Sequence, residues 1–539
     1  MRKSYYTKMI NLIKPCITLK VQFILILFIL LTINDVHSQN NISNVELELF
    51  SKIKLKDRSV PIKILGQDST GYYILYGNGR YGQKSKSIIK FNLDFTPTDQ
   101  EKVILNTKEE PNTEYLGTIQ LNSNEIVFFT VTNEGESFAY YYEKIQLKQL
   151  KVSAKEFIKR EEIDQYEFEY VNHHLFKPNP SYTAIVYEFF QKGTKKRLIK
   201  ALYFDNNFSN ITEQRYELPQ TSKEFKWVHM RLIDDGSIFL LAKNMYSKNH
   251  FDYTLYHLKN NQFNILHELD KQEHYISDVQ SILTENEFIL SGYYSDISED
   301  YMKGIFLYKL NLKNPEVHSI VYSPLKKEYF LQLLNENKAN RVSEEIDKGN
   351  YEESYFDLRK IYRYENGDMV LIGEYRDTFY ADAILYFVRQ DLAIIKINKK
   401  GEILWSTKIG KNNTDLSTDM FGDNYIFSQD DSIYLIYNGN FRNLNHTSGK
   451  LFKMYSPGTS IILLKIDKEG NYFRESLYTT VQSDNYMLGT NFAGFRDGDA
   501  LILLTHKMNN IKKQQFFKLN LVDQEKTDEI LPTTNINDK

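Results

Sequence analysis

YENGDMVLIGE, residues 364–374, is a polar turn that runs directly into an apolar strand. The same pairing returns as QDSTGYYILYG (67–77), LNSNEIVFFTV (121–131), NPSYTAIVYEF (179–189), IDDGSIFLLAK (233–243), LTENEFILSGY (283–293), SQDDSIYLIYN (428–438) and FRDGDALILLT (495–505). Gly, Asn and Asp suit the turn because they tolerate positive φ or hydrogen-bond their own backbone. The β-branched and aromatic residues that follow fit a pleated, buried surface.

Working outward, each pair is followed by a second strand that enters another polar turn. Examples are SIIKFNLDF (87–95), AIIKINKKGEILW (393–405) and IILLKIDKEGNYF (461–473). Period-2 alternation is visible where Ile394, Lys396 and Asn398 alternate with Ile395 and Ile397. A short apolar strand usually precedes each unit, and another often follows it. Four short antiparallel strands, repeated at a period of roughly 50–65 residues, describe the blade of a β-propeller. The expectation is an all-β fold, a single propeller of eight four-stranded blades, with seven as the alternative. Few residues remain after the last unit, whereas NVELELFSKIKL (44–55) is a strand with no blade of its own. It is expected to supply the outer strand of the last blade and so close the ring. The longest interval, between Asn286 and Gly367, holds an insertion at 324–349. There Tyr329, Phe330, Leu333 and Leu334, then Val342 and Ile346, fall at helical spacing, which predicts one or two helical turns packed outside blades five and six.

The unit AIIKINKKGEILWSTKIG (393–410) resembles a repeat of the quinoprotein-like (PQQ-like) β-propeller superfamily, and IILLKIDKEGNYFRESLY (461–478) is similar to it, with Phe473 near the position of Trp405. The resemblance implies the fold. It carries no quinone-binding residues onto this chain, and no cofactor is expected. The chain has no Trp-Asp dipeptide, no Gly-Gly pair of the kelch type and no sialidase-type Asp box.

Residues 1–38 have a basic start, an apolar run at 21–33 and the small-residue site Val36-His37-Ser38. That order is a secretory signal, with cleavage expected after Ser38 and the propeller over 39–539. The expected location is secreted or periplasmic, with no membrane span after cleavage. The one cysteine, Cys16, lies in the leader, so no disulfide is expected. Net charge is −3, and loss of the basic leader makes the remainder more acidic. With no basic block, nucleic acid is not an expected partner.

Few motifs point to chemistry. GNGRYG (77–82) satisfies a dinucleotide-binding pattern, but a strand follows it, so it reads as a hairpin loop. His173-His174 would point to opposite faces of a strand and could not share one ion. Asp467-Lys468-Glu469-Gly470 and Asp497-Gly498-Asp499 offer too few oxygens for calcium and read as turns. No catalytic or metal residues are assigned.

Binding in a rigid ring is expected on its loops. Two of those joining second to third strands are long, at 374–391 and 438–459. They carry aromatics with cations: Tyr375, Arg376, Phe379, Tyr380, Arg389, Phe441, Arg442, His446, Lys450 and Tyr455. These are the candidate ligand-binding residues; the alternative is that the two segments pack on each other or on the helical insertion. The function expected is a monomeric binding or scaffold module of the cell envelope for a protein, peptide or glycan. The competing expectation is an enzyme with its site in the axial channel, such as a lyase, glycosidase or quinone-dependent dehydrogenase.

Overall fold

The computed structural model describes residues 45–521, apart from 56–59, 79–84, 106–111, 163–167, 177–181, 192–195, 206, 209–210, 219–224, 248–249, 270–273, 316–317, 355, 382–383, 417–419, 446–450, 481–483, 490–493 and 498–499. Residues 47–520 form one compact unit. It is a ring of eight four-stranded antiparallel blades. Every turn-strand pair in the sequence is the second strand of a blade, from Gly71–Asn78 in the first to Ala500–Lys507 in the eighth. The strand that follows each is the third, except in blade five, where the two-residue strand Tyr301–Met302 intervenes before the third strand Gly304–Asn311.

These two strands are apolar on both sides because each blade is covered on both faces by its neighbours. Ser432–Asn440 is buried along its whole length, whereas the fourth strand His318–Pro324 is mostly exposed. The core therefore lies between blades. Ile433, Leu435 and Leu464 of blade seven pack on Val370, Ile372 and Ile394 of blade six. Each such fully buried side chain contributes about 1.5–3 kcal/mol.

The first strands form the inner wall and meet where blades two and three, four and five, and five and six adjoin. Among the described residues six of them carry a β-bulge, between Pro61 and Lys63, Tyr115 and Gly117, Phe168 and Val171, Trp227 and His229, Ile276 and Asp278, and Leu358 and Lys360. A bulge adds one residue and re-aims its side chain. Third-to-fourth-strand turns lock neighbours together. Gly470 has φ +91°, and a Cβ there would meet the Trp405 ring of blade six at 2.7 Å. Trp405 Nε1 also donates to Lys468 O at 3.0 Å. The aromatic that ends one hairpin thus seats the turn of the next blade. The Asp467 carboxylate accepts from Glu469 N and Asn471 N, so this segment is a turn.

The insertion forms α1 (Lys327–Leu331) and α2 (Glu336–Asp347). The expected apolar run breaks where Leu333 adopts φ 64°. Gln332 is held there by blade six, its Oε1 accepting from Lys408 N at 2.6 Å. Tyr329 and Phe330 are buried against Met302 and Phe356 at the seam of blades five and six. Asn335 caps α2, its side chain accepting from Lys338 N at 3.0 Å.

Blade eight closes the ring as expected. Its sheet runs from Tyr486–Leu488 through Ala500–Lys507 and Asn510–Leu521 to Val45–Lys54. Leu55 N donates to Lys512 O, and Gln515 Nε2 to Phe50 O.

Candidate functional site

Topology places the second-to-third-strand connections on the same face of the ring as the links between blades. On that face blade six departs from the others. The segment 374–391 is not a loop. It extends the sheet, with Met369–Ala381 paired to Ile384–Ile397, which is paired in turn to Ile403–Leu416. The extension starts at a bulge at Asp391, a non-glycine residue with φ 29°. The Asp391 carboxylate accepts from Lys411 N at 3.2 Å.

Hairpin pairing sets which side chains face each other. Arg376 lies opposite Arg389, Thr378 opposite Phe387 and Tyr380 opposite Leu385. These share one sheet face, since side chains alternate along a strand. Phe379 stacks on Tyr386 at 4.9 Å on the other face. At the tip Tyr380 is 75% exposed, Phe379 44% and Ile384 39%.

At the base of the extension a charged cluster joins blades six and seven. Asp423 precedes the first strand of blade seven, Asn424–Gln429. Its Oδ2 lies 2.9 Å from Arg359 Nη2, 3.3 Å from Arg389 Nη1 and 3.8 Å from Arg376 Nη2. Arg359 is the bulged residue of its strand, which turns it toward blade seven. Arg389 is 1% exposed, and a Cβ on Gly422 would crowd it at 3.0 Å. Beside this, Lys411 Nζ donates to Glu374 Oε1 at 2.5 Å, Asn424 Oδ1 at 2.7 Å and Gly422 O at 3.0 Å. Asn424 Nδ2 also donates to Glu374 Oε1. Burial pushes the Asp423 carboxyl up, but Arg389, Arg359 and Arg376 together hold it below its ordinary range. Burial, then repulsion from Arg389 and Arg359, pulls Arg376 down. Burial also pulls Lys411 down, against Glu374.

The candidates read from sequence divide accordingly. Tyr380 is on the exposed tip. Arg376 is partly exposed in the cluster, and Arg389 is sealed beneath it. Tyr375 packs on the core beside Phe356. In the 438–459 segment Phe441 and Arg442 start a 3-10 turn and are exposed. Arg442 sits over the Phe452 ring. Tyr455 is half-exposed, with its hydroxyl donating to Asp415 Oδ1 at 2.8 Å. His446 and Lys450 lie outside the described residues. The 438–459 segment packs on the fourth strand of blade six. Met454 N donates to Asn412 O, and Asn412 Nδ2 to Leu451 O.

Arg359, Lys411 and Asp423 escaped the sequence reading. The one signal available was symmetry about the turn, which sets Arg376 against Arg389 once 374–391 is read as a hairpin. His173 and His174 do point apart, His173 toward Tyr140 of blade two and His174 onto Trp227 of blade four. His267 stacks on Tyr308. Among the described residues no group of three His, Cys, Asp or Glu is placed to hold a metal ion. No helix there is long and apolar enough to cross a membrane. On the opposite face a cleft lies between Tyr182, Asp205, Gln214 and Asp235. Its polar groups are engaged in holding turns: Tyr182 Oη donates to Ile233 O, and Asp235 pairs with Lys259.

No family model matches the chain, and no curated protein matches it. Among solved structures it is similar to the WD40 domain of SCAP from fission yeast, with 7% identity and a TM-score of 0.36 over 88% of this chain and 98% of that one. It is similar to polysaccharide lyase Uly1, with 10% identity and a TM-score of 0.35 over 88% and 100%. It is also similar to oligopeptidase B from Leishmania major, with 9% identity and a TM-score of 0.38 over 85% and 54%. The sheet order of the chain itself makes it an eight-bladed propeller.

Proposed function

We propose that the protein is an exported recognition module that holds a protein or peptide partner on the face bearing the blade-six extension. The observation that carries this reading is the display of Tyr380, Phe379 and Ile384 on a paired, rigid hairpin. Exposed aromatic side chains held in place contribute contact area at low entropic cost. Export is supported by the leader-like residues 1–38, and membership of the quinoprotein-like group by the hairpins at 393–410 and 461–478.

The test is a peptide and glycan array probed with residues 39–539 and with a Phe379→Ser/Tyr380→Ser variant. The expected result is binding to peptides that the variant loses while its unfolding midpoint stays unchanged. Absence of binding, or binding the variant keeps, refutes the reading.

A further inference from the structure

We infer that the inner edge of the blade-six extension takes an acidic peptide as an added β-strand, with one of its carboxylates seated between Arg376 and Arg359. This rests on the recognition reading above and specifies the partner. The first strand of blade six, Asp357–Arg363, pairs with the second only as far as Glu374. Beyond that point the second strand continues through Tyr375–Ala381. Among the described residues its third-strand side is paired throughout, and no strand lies on its axis side. A strand edge carrying main-chain donors and acceptors is a template for pairing. Proteins commonly blunt such edges with charge, and here the outer end carries Phe379 and Tyr380 instead.

Charge at the base of this edge selects the occupant. Like charges directly opposite in a ladder repel. Arg376 and Arg389 stand opposite one another and are reconciled through Asp423, which Arg359 also reaches. Three guanidinium groups thus converge on one carboxylate oxygen, while Asp423 Oδ1 accepts from Asn424 N. Glu374 is engaged by Lys411 and Asn424 through Oε1. Arg376 Nε also lies 3.7 Å from Glu374 Oε2 and 4.0 Å from Asp357 Oδ2, so the cations Arg359, Arg376, Arg389 and Lys411 face the three carboxylates of Asp423, Glu374 and Asp357, which leaves the base of the edge one positive charge in excess. Arg359 and Arg376 are partly open to solvent, and their forked donors match a carboxylate.

Register then fixes the motif. Arg376, Thr378 and Tyr380 lie on one face of the strand. An added strand therefore presents its acid beside Arg376 and an apolar side chain beside Tyr380, four residues away. At about 3.3 Å per residue these anchors stand roughly 13 Å apart.

The test uses fluorescence anisotropy of the labelled heptapeptide Thr-Glu-Thr-Val-Thr-Leu-Thr with residues 39–539. Saturable binding is expected, at least tenfold weaker when Gln replaces Glu in the peptide and also when alternate peptide nitrogens on the pairing edge are methylated. Arg376→Gln weakens it similarly, and Arg376→Lys less. The peptide changes leave the protein untouched, so a misfolded variant does not blunt the test. No saturable binding overturns the inference, as does binding indifferent to both peptide changes. Equal binding of oligogalacturonate, insensitive to competition by the heptapeptide, replaces the peptide with an acidic glycan and also overturns it. If the Phe379→Ser/Tyr380→Ser variant loses array binding while the heptapeptide fails, the recognition reading stands and strand addition falls.

Discussion

Asn438 pairs with Leu488 as one strand residue pairs with another: Leu488 N donates to Asn438 Oδ1 at 2.8 Å, and Asn438 Nδ2 donates to Leu488 O at 2.8 Å. The same Nδ2 donates to Phe421 O at 2.8 Å. One fully buried amide thus ties blade seven to the three-residue inner strand of blade eight, Tyr486–Leu488. Replacing it by Ala strands buried main-chain groups, each costing about 1–3 kcal/mol. Asn438→Ala is expected to lower the unfolding free energy by about 3 kcal/mol, read from urea denaturation with the m-value unchanged.

Lys411 and Glu374 form a buried pair whose partners are supplied by blade seven. Removing one charge leaves the other uncompensated, at a cost of about 3–5 kcal/mol. Lys411→Met and Glu374→Leu are each expected to lose that much in chemical denaturation. The double variant is expected to recover most of the loss, because two apolar side chains need no partner.

Asp278 follows the inner-strand bulge of blade five and accepts from Leu358 N of blade six at 2.7 Å. Burial raises its carboxyl to about 6, despite hydrogen bonds from Leu358 and Val279. A folded-state value above the unfolded one means stability that is fully present below about pH 4 and lost as pH rises through about 6. His173 and His506, lowered to about 4 by burial, act with the opposite sign, their stabilisation being lost as pH falls from about 6.5 to about 4. The readout is therefore the difference between wild type and Asp278→Asn across pH 4–7. Wild type is expected to lose about 3 kcal/mol relative to the variant over that window. A flat difference curve contradicts this.

Gly470 at φ +91° lies against Trp405. Gly470→Ala combines backbone strain with a steric clash and is expected to cost about 1–3 kcal/mol. The chain has two tryptophans, so a Trp227→Phe background isolates Trp405 fluorescence. Its emission is expected to shift red as the indole loses its seat.

The ring was legible because the second and third strands are buried on both faces, which leaves uninterrupted apolar runs after each polar turn. The closing strand at 44–55 was legible because it was left over. In the sequence the extension has the look of a loop because Arg376, Asp377 and Arg389 interrupt the apolar pattern, and charge inside a sheet resembles charge in a loop until a counter-charge is found. That counter-charge, Asp423, is contributed by the next blade, and Arg359 reaches it through a bulge that leaves no mark in composition. Lys411 reads as one more outer-strand lysine, although its ammonium group is fully enclosed.

The pairing of Val45–Lys54 with Asn510–Leu521 also orders events in time. During synthesis the strand that completes the last blade emerges before the other strands of the ring, and its partner is made hundreds of residues later. Until then both flanks of the growing arc stay open, able to pair with other chains. Contacts so distant in sequence form slowly. The protein is therefore most exposed to aggregation as a nascent arc, and its yield is expected to depend on a chaperone that shields those flanks until the two ends meet.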